Sequence, residues 1–174
     1  MGVSLYDATV PGFRQVLGGL AGVLDKGAHY CADHKIHPND FAETRLFEDM
    51  LPLKHQILFT HVHSLGAIEA VRQGVFVPPR ETPPPQDYPA MQKRVADTLE
   101  GLAALTPDEV NALMGRDMVF QLGDNKLPFT AENFLLSFST PNFHFHATTA
   151  YDILRMRGVP LGKRDYLGQL RLKR

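Results

Sequence analysis

One cysteine, Cys31, is all the chain contains, so no internal disulfide can form. Long apolar runs are also missing. No window approaches the roughly eighteen uninterrupted apolar residues of a membrane span. The stretch from Met1 to Pro11 lacks the basic start and apolar core of a signal peptide, so a reducing cytoplasm is the expected location. Nor is there a dominant charge: 18 Lys and Arg stand against 19 Asp and Glu, which argues against a dedicated nucleic-acid binder. The strong catalytic signatures Gly-x-Ser-x-Gly, Cys-x-x-Cys and His-Glu-x-x-His do not occur. Glycines gather at Leu17 to Gly22, but inside a helical pattern and after no strand, so they make no dinucleotide or phosphate loop.

What is there fits one ordinary domain spanning 1–174. With 174 residues, 44% of them hydrophobic and 21% charged, folding should bury roughly 70% of the unfolded chain's surface without disulfides or a structural metal. The charge is uneven along the chain. From Arg155 to Arg174 seven basic groups face a single acid, Asp165, leaving a basic tail at 169–174. Solvation, or pairing with an acidic surface, explains such a tail more simply than a polyanion partner does.

Apolar residues recur at spacings of three and four from Leu5 to about His29, the pattern of an amphipathic helix. Gly18, Gly19 and Gly22 in its middle weaken it but would let another helix approach closely, and Pro11 should bend or restart it. His34 to Met50 reads as a connection with one possible helical turn at Asp40 to Thr44. A second helix runs from Pro52 to Gly74 on the stripe Leu53, Ile57, Leu58, Leu65, Ile68 and Val71. The proline-rich segment from Val77 to Pro89 should cross the surface as an extended, rigid connection. A third helix follows from Tyr88 to Leu105, and Thr106-Pro107-Asp108-Glu109 opens a short helix to Met114. Alternation around the turn Gly123-Asp124-Asn125 makes a short hairpin of Asp117 to Phe129. Thr130 then caps a fourth long helix ending near Gly158, which Pro141 should kink. The architecture expected from these elements is all-α, a helical bundle.

Chemistry falls to the histidines, at 29, 34, 37, 55, 61, 63, 144 and 146. The first three surround Cys31 at the exit of helix one and read as exposed loop residues. On a regular helix His61 and His63 project about 200° apart, so they cannot hold one ion together. His61 lies three residues after Leu58 and four before Leu65, on the apolar stripe, whereas His63 shares its side with Gly66, Ala67 and Ala70. His146 shares a face with Phe143, Ala150, Ile153 and Leu154. The inward candidates are therefore His61 and His146. Two imidazoles on the inner faces of two bundle helices suit a transition metal completed by a third ligand, such as Asp7, Asp49 or Glu69. Core histidines bonded to backbone or to a hydroxyl of Tyr6, Thr60, Thr149 or Tyr151 are the plainer alternative.

Four stretches together resemble the bacterial domain-of-unknown-function family DUF1993. They are Ser4-Leu-Tyr-Asp-Ala-Thr-Val-Pro-Gly-Phe, Arg45-Leu-Phe-Glu-Asp-Met-Leu-Pro-Leu, Pro141-Asn-Phe-His-Phe-His-Ala-Thr-Thr-Ala-Tyr-Asp-Ile-Leu-Arg, and Gly158-Val-Pro-Leu-Gly-Lys-Arg-Asp-Tyr-Leu-Gly. The resemblance implies membership of the DinB/YfiT-like superfamily: an up-down-down-up four-helix bundle, often dimeric, with the small hairpin before its last helix. Better-known members hold a divalent metal with three histidines, one from helix two and a His-x-x-x-His pair from the last helix. His146 matches the first of that pair, but Ala150 stands where the second would be; His61 or His63 lies near the helix-two ligand, with no motif to fix which.

Two functions follow as expectations. The first is a homodimer that binds an unknown small molecule in a central cleft near Tyr6, His61, His146 and Tyr151, with an incomplete metal-ligand set and no assured cofactor. The second is a hydrolase or thiol transferase in which His61 and His146 hold Zn, Ni or Mn. The segment Leu161 to Gly168 is expected to pack across the dimer interface through Leu161, Tyr166 and Leu167.

Overall fold

The computed structural model describes residues 2–79 and 87–173. The central part of the proline-rich connection, 80–86, lies outside the described residues. Helix α1 (Leu5–Asp33) opens on a reciprocal cap: the Ser4 hydroxyl accepts from the Asp7 amide at 3.2 Å, and the Asp7 carboxylate accepts from the Ser4 amide at 3.3 Å. It runs without interruption past Pro11. A single turn, α2 (Asn39–Ala42), follows, and then α3 (Leu53–Val62) and α4 (Leu65–Gln73) occupy the place of the expected second helix. The two-residue strand β1 (Val75–Phe76) leads to the proline-rich connection. Helix α5 (Tyr88–Ala104) is capped by Asp87, and the short α6 (Pro107–Asn111) by Thr106 and Glu109. Strands β2 (Asp117–Leu122) and β3 (Asn125–Thr130) form the hairpin. The last long helical stretch has three parts: α7 (Ala131–Asn133), a π-helical segment at Phe134–Ser139, and α8 (Thr140–Met156). A final short helix, α9 (Lys163–Leu167), precedes the tail.

The fold is mostly helical rather than all-α, because β1 pairs in parallel with β2 and makes the hairpin a three-stranded sheet in the order β1-β2-β3. Two residues are too few to show alternation, so nothing in the sequence marks β1 as a strand.

Residue contacts fix how the long helices run. Phe13 meets Phe143 with ring centroids 4.8 Å apart, and Gly27 lies beside Leu154, so α1 and α8 point the same way. Gln56 meets His146 while His63 meets Phe138, so α3 opposes α8. His61 meets Thr98 and Leu65 meets Gly101, which sets α3 and α4 parallel to α5. The buried Tyr88 hydroxyl donates to the Leu24 carbonyl at 2.8 Å and ties the start of α5 to α1. The core lies between these helices, with Val10, Leu17, Leu24, Ile57, Leu102, Phe143 and Leu154 all fully covered.

The expected close approach at the α1 glycines is made by the chain's own tail. A Cβ at Gly19 would stand 2.5 Å from the Tyr166 carbonyl oxygen and 2.7 Å from that of Asp165. Gly168 turns with φ +60° against the Gln15 carbonyl, where a side chain would be strained. Lys26 pairs with Asp165 at 2.6 Å, and the Gln15 amide donates to the Leu167 carbonyl at 3.0 Å. The segment Leu161 to Gly168 therefore packs on α1 of its own chain. Its apolar anchors are used internally: Leu161 is buried and Tyr166 packs against Tyr151.

Candidate functional site between α3 and α8

The expected second helix breaks after Val62. His63 and Ser64 leave the helical region (φ −94°, ψ 11° and φ −121°, ψ −94°), and Ser64 restarts the chain as the N-cap of α4. The Ser64 hydroxyl donates to the Thr60 carbonyl at 2.6 Å and takes up one acceptor freed at the break. Pro141 stands at the start of α8. Without an amide hydrogen it cannot bond the carbonyl four residues back, and the preceding turn widens to the π pattern. The Leu135 carbonyl there accepts both the amide and the hydroxyl of Thr140, the latter at 2.8 Å. The expected kink thus takes the form of a π segment ahead of the proline.

These two irregularities face each other. His63, 5% exposed, lies almost parallel to His146, with ring centroids 5.8 Å apart and 9° between planes. Phe59 stacks on both rings, at 6.0 Å from His63 and 4.9 Å from His146. Phe76 from β1 and Phe138 from the π segment close on His63 at 5.5 and 5.6 Å. Phe138 itself packs on Phe120 of β2 at 5.0 Å. Helix break, π segment and sheet together build an aromatic wall around two imidazoles.

Hydrogen bonding fixes one ring and leaves the other open. The buried Gln56 amide nitrogen donates to the Leu51 carbonyl at 2.8 Å, which turns its oxygen to His146 Nδ1, also at 2.8 Å. That oxygen only accepts, so His146 carries its proton on Nδ1 and its Nε2 is an unprotonated acceptor. His63 Nδ1 is buried with no hydrogen-bond partner among the described residues. Burial holds both rings neutral. It lowers the pKa of His146 to about 4 and, with the neighbouring His146 as a lesser cause, that of His63 to about 3.

The structure does not bring His61 to His146. The inner side of α3 carries the buried residues Leu53, Gln56, Ile57, Thr60 and His63, so half of it is polar. A search for an apolar stripe selects instead the Leu58, His61 and Leu65 side, which faces α5. There His61 Nδ1 lies 3.0 Å from the Thr98 hydroxyl, in a groove lined by Leu65, Ala90, Lys93, Arg94, Asp97 and Thr98. Tyr6 sits at the start of α1, where its amide donates to Asn111 of α6 at 3.0 Å. Tyr151 is half-buried against Tyr166, whose hydroxyl lies 3.3 Å from His144. Thr60 and Thr149 spend their hydroxyls on carbonyls of their own helices. Sequence reasoning missed Gln56, Phe59 and Phe138, and its helix periodicity favoured His61 while the family resemblance left His61 and His63 both open. The signal available was the small side chains Ala67 and Ala70 on the His63 side, both of which are buried.

His29, His34 and His37 are exposed; His29 and His34 each donate Nδ1 to a carbonyl four residues back in α1. Among the described residues no group of three or more His, Cys, Asp or Glu side chains is placed to share one metal ion. At the His63–His146 pair the donor set is two imidazoles and one amide oxygen already hydrogen-bonded. That set falls short of the three protein ligands that zinc sites normally use, so it does not fit a tightly held ion.

A family model described as a domain of unknown function, DUF1993, matches residues 5–167. Among solved structures, the chain is similar to that of a DinB family member protein from Shewanella denitrificans. The two are 26% identical over 98% of this chain and 95% of that one, with a TM-score of 0.80. No curated protein matches the chain. No helix among the described residues is long and apolar enough to cross a membrane.

Proposed function

The chain belongs to the DUF1993 family, and for this member we propose a binding function: an uncharged small molecule with a hydrogen-bond donor, held between α3 and α8 beside His63 and His146. In this reading the four long helical stretches form the up-down-down-up bundle of the DinB-like proteins, and the sheet and π segment shape one side of its site. The observation that carries the reading is the stacked, neutral imidazole pair inside an aromatic wall, one of whose nitrogens is buried without a partner. A native buried polar atom left unpaired costs stability, and a ligand that hydrogen-bonds to it, as donor or acceptor according to the tautomer of His63, would recover that cost. The Nε2 of His146, whose proton is held on Nδ1 by Gln56, is the acceptor that calls for a donor on the ligand, and Phe59, Phe76 and Phe138 offer flat apolar surface. A cationic ligand finds no carboxylate here, and two rings that resist protonation attract no anion.

The test is ligand-observed NMR with phenol and benzamide as donor-bearing aromatic probes and toluene as the donor-free control. The reading expects phenol or benzamide to bind more tightly than toluene, with the preference lost in His63→Leu. Equal binding of all three probes, or none, contradicts it.

A second reading, a divalent-metal hydrolase or thiol transferase, draws on one observation. The Gln56 oxygen orients His146 in the way outer-shell carbonyls orient metal-bound imidazoles. Metal analysis of tag-free, dialysed protein separates the two: near-stoichiometric Zn, Ni or Mn supports the second reading and trace metal supports the first. The homodimer belongs to the proposal as well, supported by the exposed apolar side chains Phe47, Leu51 and Phe145.

A further inference from the structure

The groove on the opposite side of α3 from His63 has a chemistry of its own and does not depend on the reading above. It runs between α3–α4 and α5, with a volume of about 380 Å³, and Leu65 closes one end by packing on Gly101. Its polar groups are ordered by a relay. The Thr98 hydroxyl donates to the Arg94 carbonyl at 2.6 Å, so toward His61 Nδ1, 3.0 Å away, it acts as the acceptor. His61 is thereby held with its proton on Nδ1 and its lone pair on Nε2. Burial, and next the positive charge of Arg94, lower the pKa of His61 against the opposing charges of Glu69 and Asp97, so the ring is a neutral acceptor.

The charged lining is equally specific. Lys93 is committed to Asp97, whose two carboxylate oxygens both lie 2.7 Å from its ammonium. Arg94 forms no ion pair among the described residues and is half-buried. The groove therefore offers one uncommitted guanidinium, one neutral imidazole acceptor and an apolar edge from Leu65 and Ala90. A guanidinium matches a carboxylate through paired hydrogen bonds, and a single imidazole lone pair matches one hydroxyl. An ammonium group in place of that hydroxyl would meet Asp97 already neutralised by Lys93.

We propose that this groove is a binding site for a small 2-hydroxycarboxylate, with the carboxylate on Arg94 and the hydroxyl donating to His61 Nε2. The experiment is a titration of full-length protein with L-lactate and with propionate, which lacks only the hydroxyl, followed by 1H–15N NMR. Lactate should bind with a dissociation constant of about 1 mM or tighter, shift Thr98 and His61, and outcompete propionate by about tenfold. Arg94→Gln should weaken both probes by about tenfold or more, whereas Arg94→Lys should retain part of the affinity. His61→Phe should bring lactate down to the level of propionate. The NMR spectra report folding of each variant in the same measurement. Absence of lactate binding at about 10 mM, equal affinity for the two probes in the wild-type protein, or indifference to Arg94→Gln overturns the proposal.

Discussion

His63 is the residue on which most of the site's physics converges. It is buried, flanked by Phe59, Phe76, Phe138 and His146, and its Nδ1 has no hydrogen-bond partner among the described residues. Replacement of a buried, unsatisfied polar group by an apolar one of similar size removes a desolvation cost. His63→Leu is therefore expected to stabilise the fold by about 1 kcal/mol in urea denaturation at pH 7; a loss of that size would show that the ring has a partner. Protons give a second handle. Above about pH 6.5 His63 and His146 are neutral both folded and unfolded. Below it the unfolded chain takes up protons that the folded state refuses down to about pH 4 and about pH 3. Stability should thus fall as pH drops from 6.5 toward 4, by on the order of 3 kcal/mol from each ring and about 6 kcal/mol from the pair. His55, His61 and His144 are lowered by burial too and act in the same direction. In His63→Leu the pH dependence should be visibly shallower; an unchanged slope would place the effect elsewhere.

At the scale of elements, what the sequence disclosed and what it hid have different physical causes. The long helices were legible because their apolar residues keep one period and their ends carry caps, as at Ser4, Asp87 and Thr106. The break at His63–Ser64 was not, since neither residue is proline or glycine and the pattern of leucines runs on across it. A regular helix drawn through that point, together with a polar inner face of Gln56, Thr60 and His63, exchanged the roles of His61 and His63. His146 was placed correctly because α8 is regular and its inner face, Phe143, Ala147, Ala150 and Ile153, is apolar. The site was therefore legible in part: His146 on α8, with His61 and His63 both open as its neighbour, and neither of the supports Gln56 and Phe59. The packing of α9 on α1 turns on Gly19, and the prediction belongs to that contact. Gly19→Ala should push α9 away and destabilise the protein by about 1–3 kcal/mol. Hydrogen exchange should show Lys163–Leu167 opening before the rest. Protection of α9 equal to that of the wild type would show that the backbone yields at no cost.

For the whole molecule, the close approach of α9 and the basic tail have separate roles. Residues 169–173 border a groove on α1 at Pro11, Arg14 and Gly18 but are all exposed, so deletion after Gly168 should leave folding stability within about 0.5 kcal/mol of the wild type. A larger loss in denaturant titration would mean that the tail carries part of the core's support. Association is a second property at this scale. A homodimer has the exposed Phe47, Leu51 and Phe145 to draw on. Sedimentation at micromolar concentration should then give a dimer that Phe145→Asp converts to a monomer; a wild-type monomer removes that part of the proposal.

All of this depends on two imidazoles kept neutral and side by side where α3 ends and α8 begins. Long-range 1H–15N NMR of the histidine rings, followed from pH 8 to pH 4, reads that state directly. The structure predicts that His146, with its proton on Nδ1, stays neutral until the pH approaches about 4 and that His63 stays neutral over the whole range. Titration of His63 and His146 near pH 6.5 would contradict it.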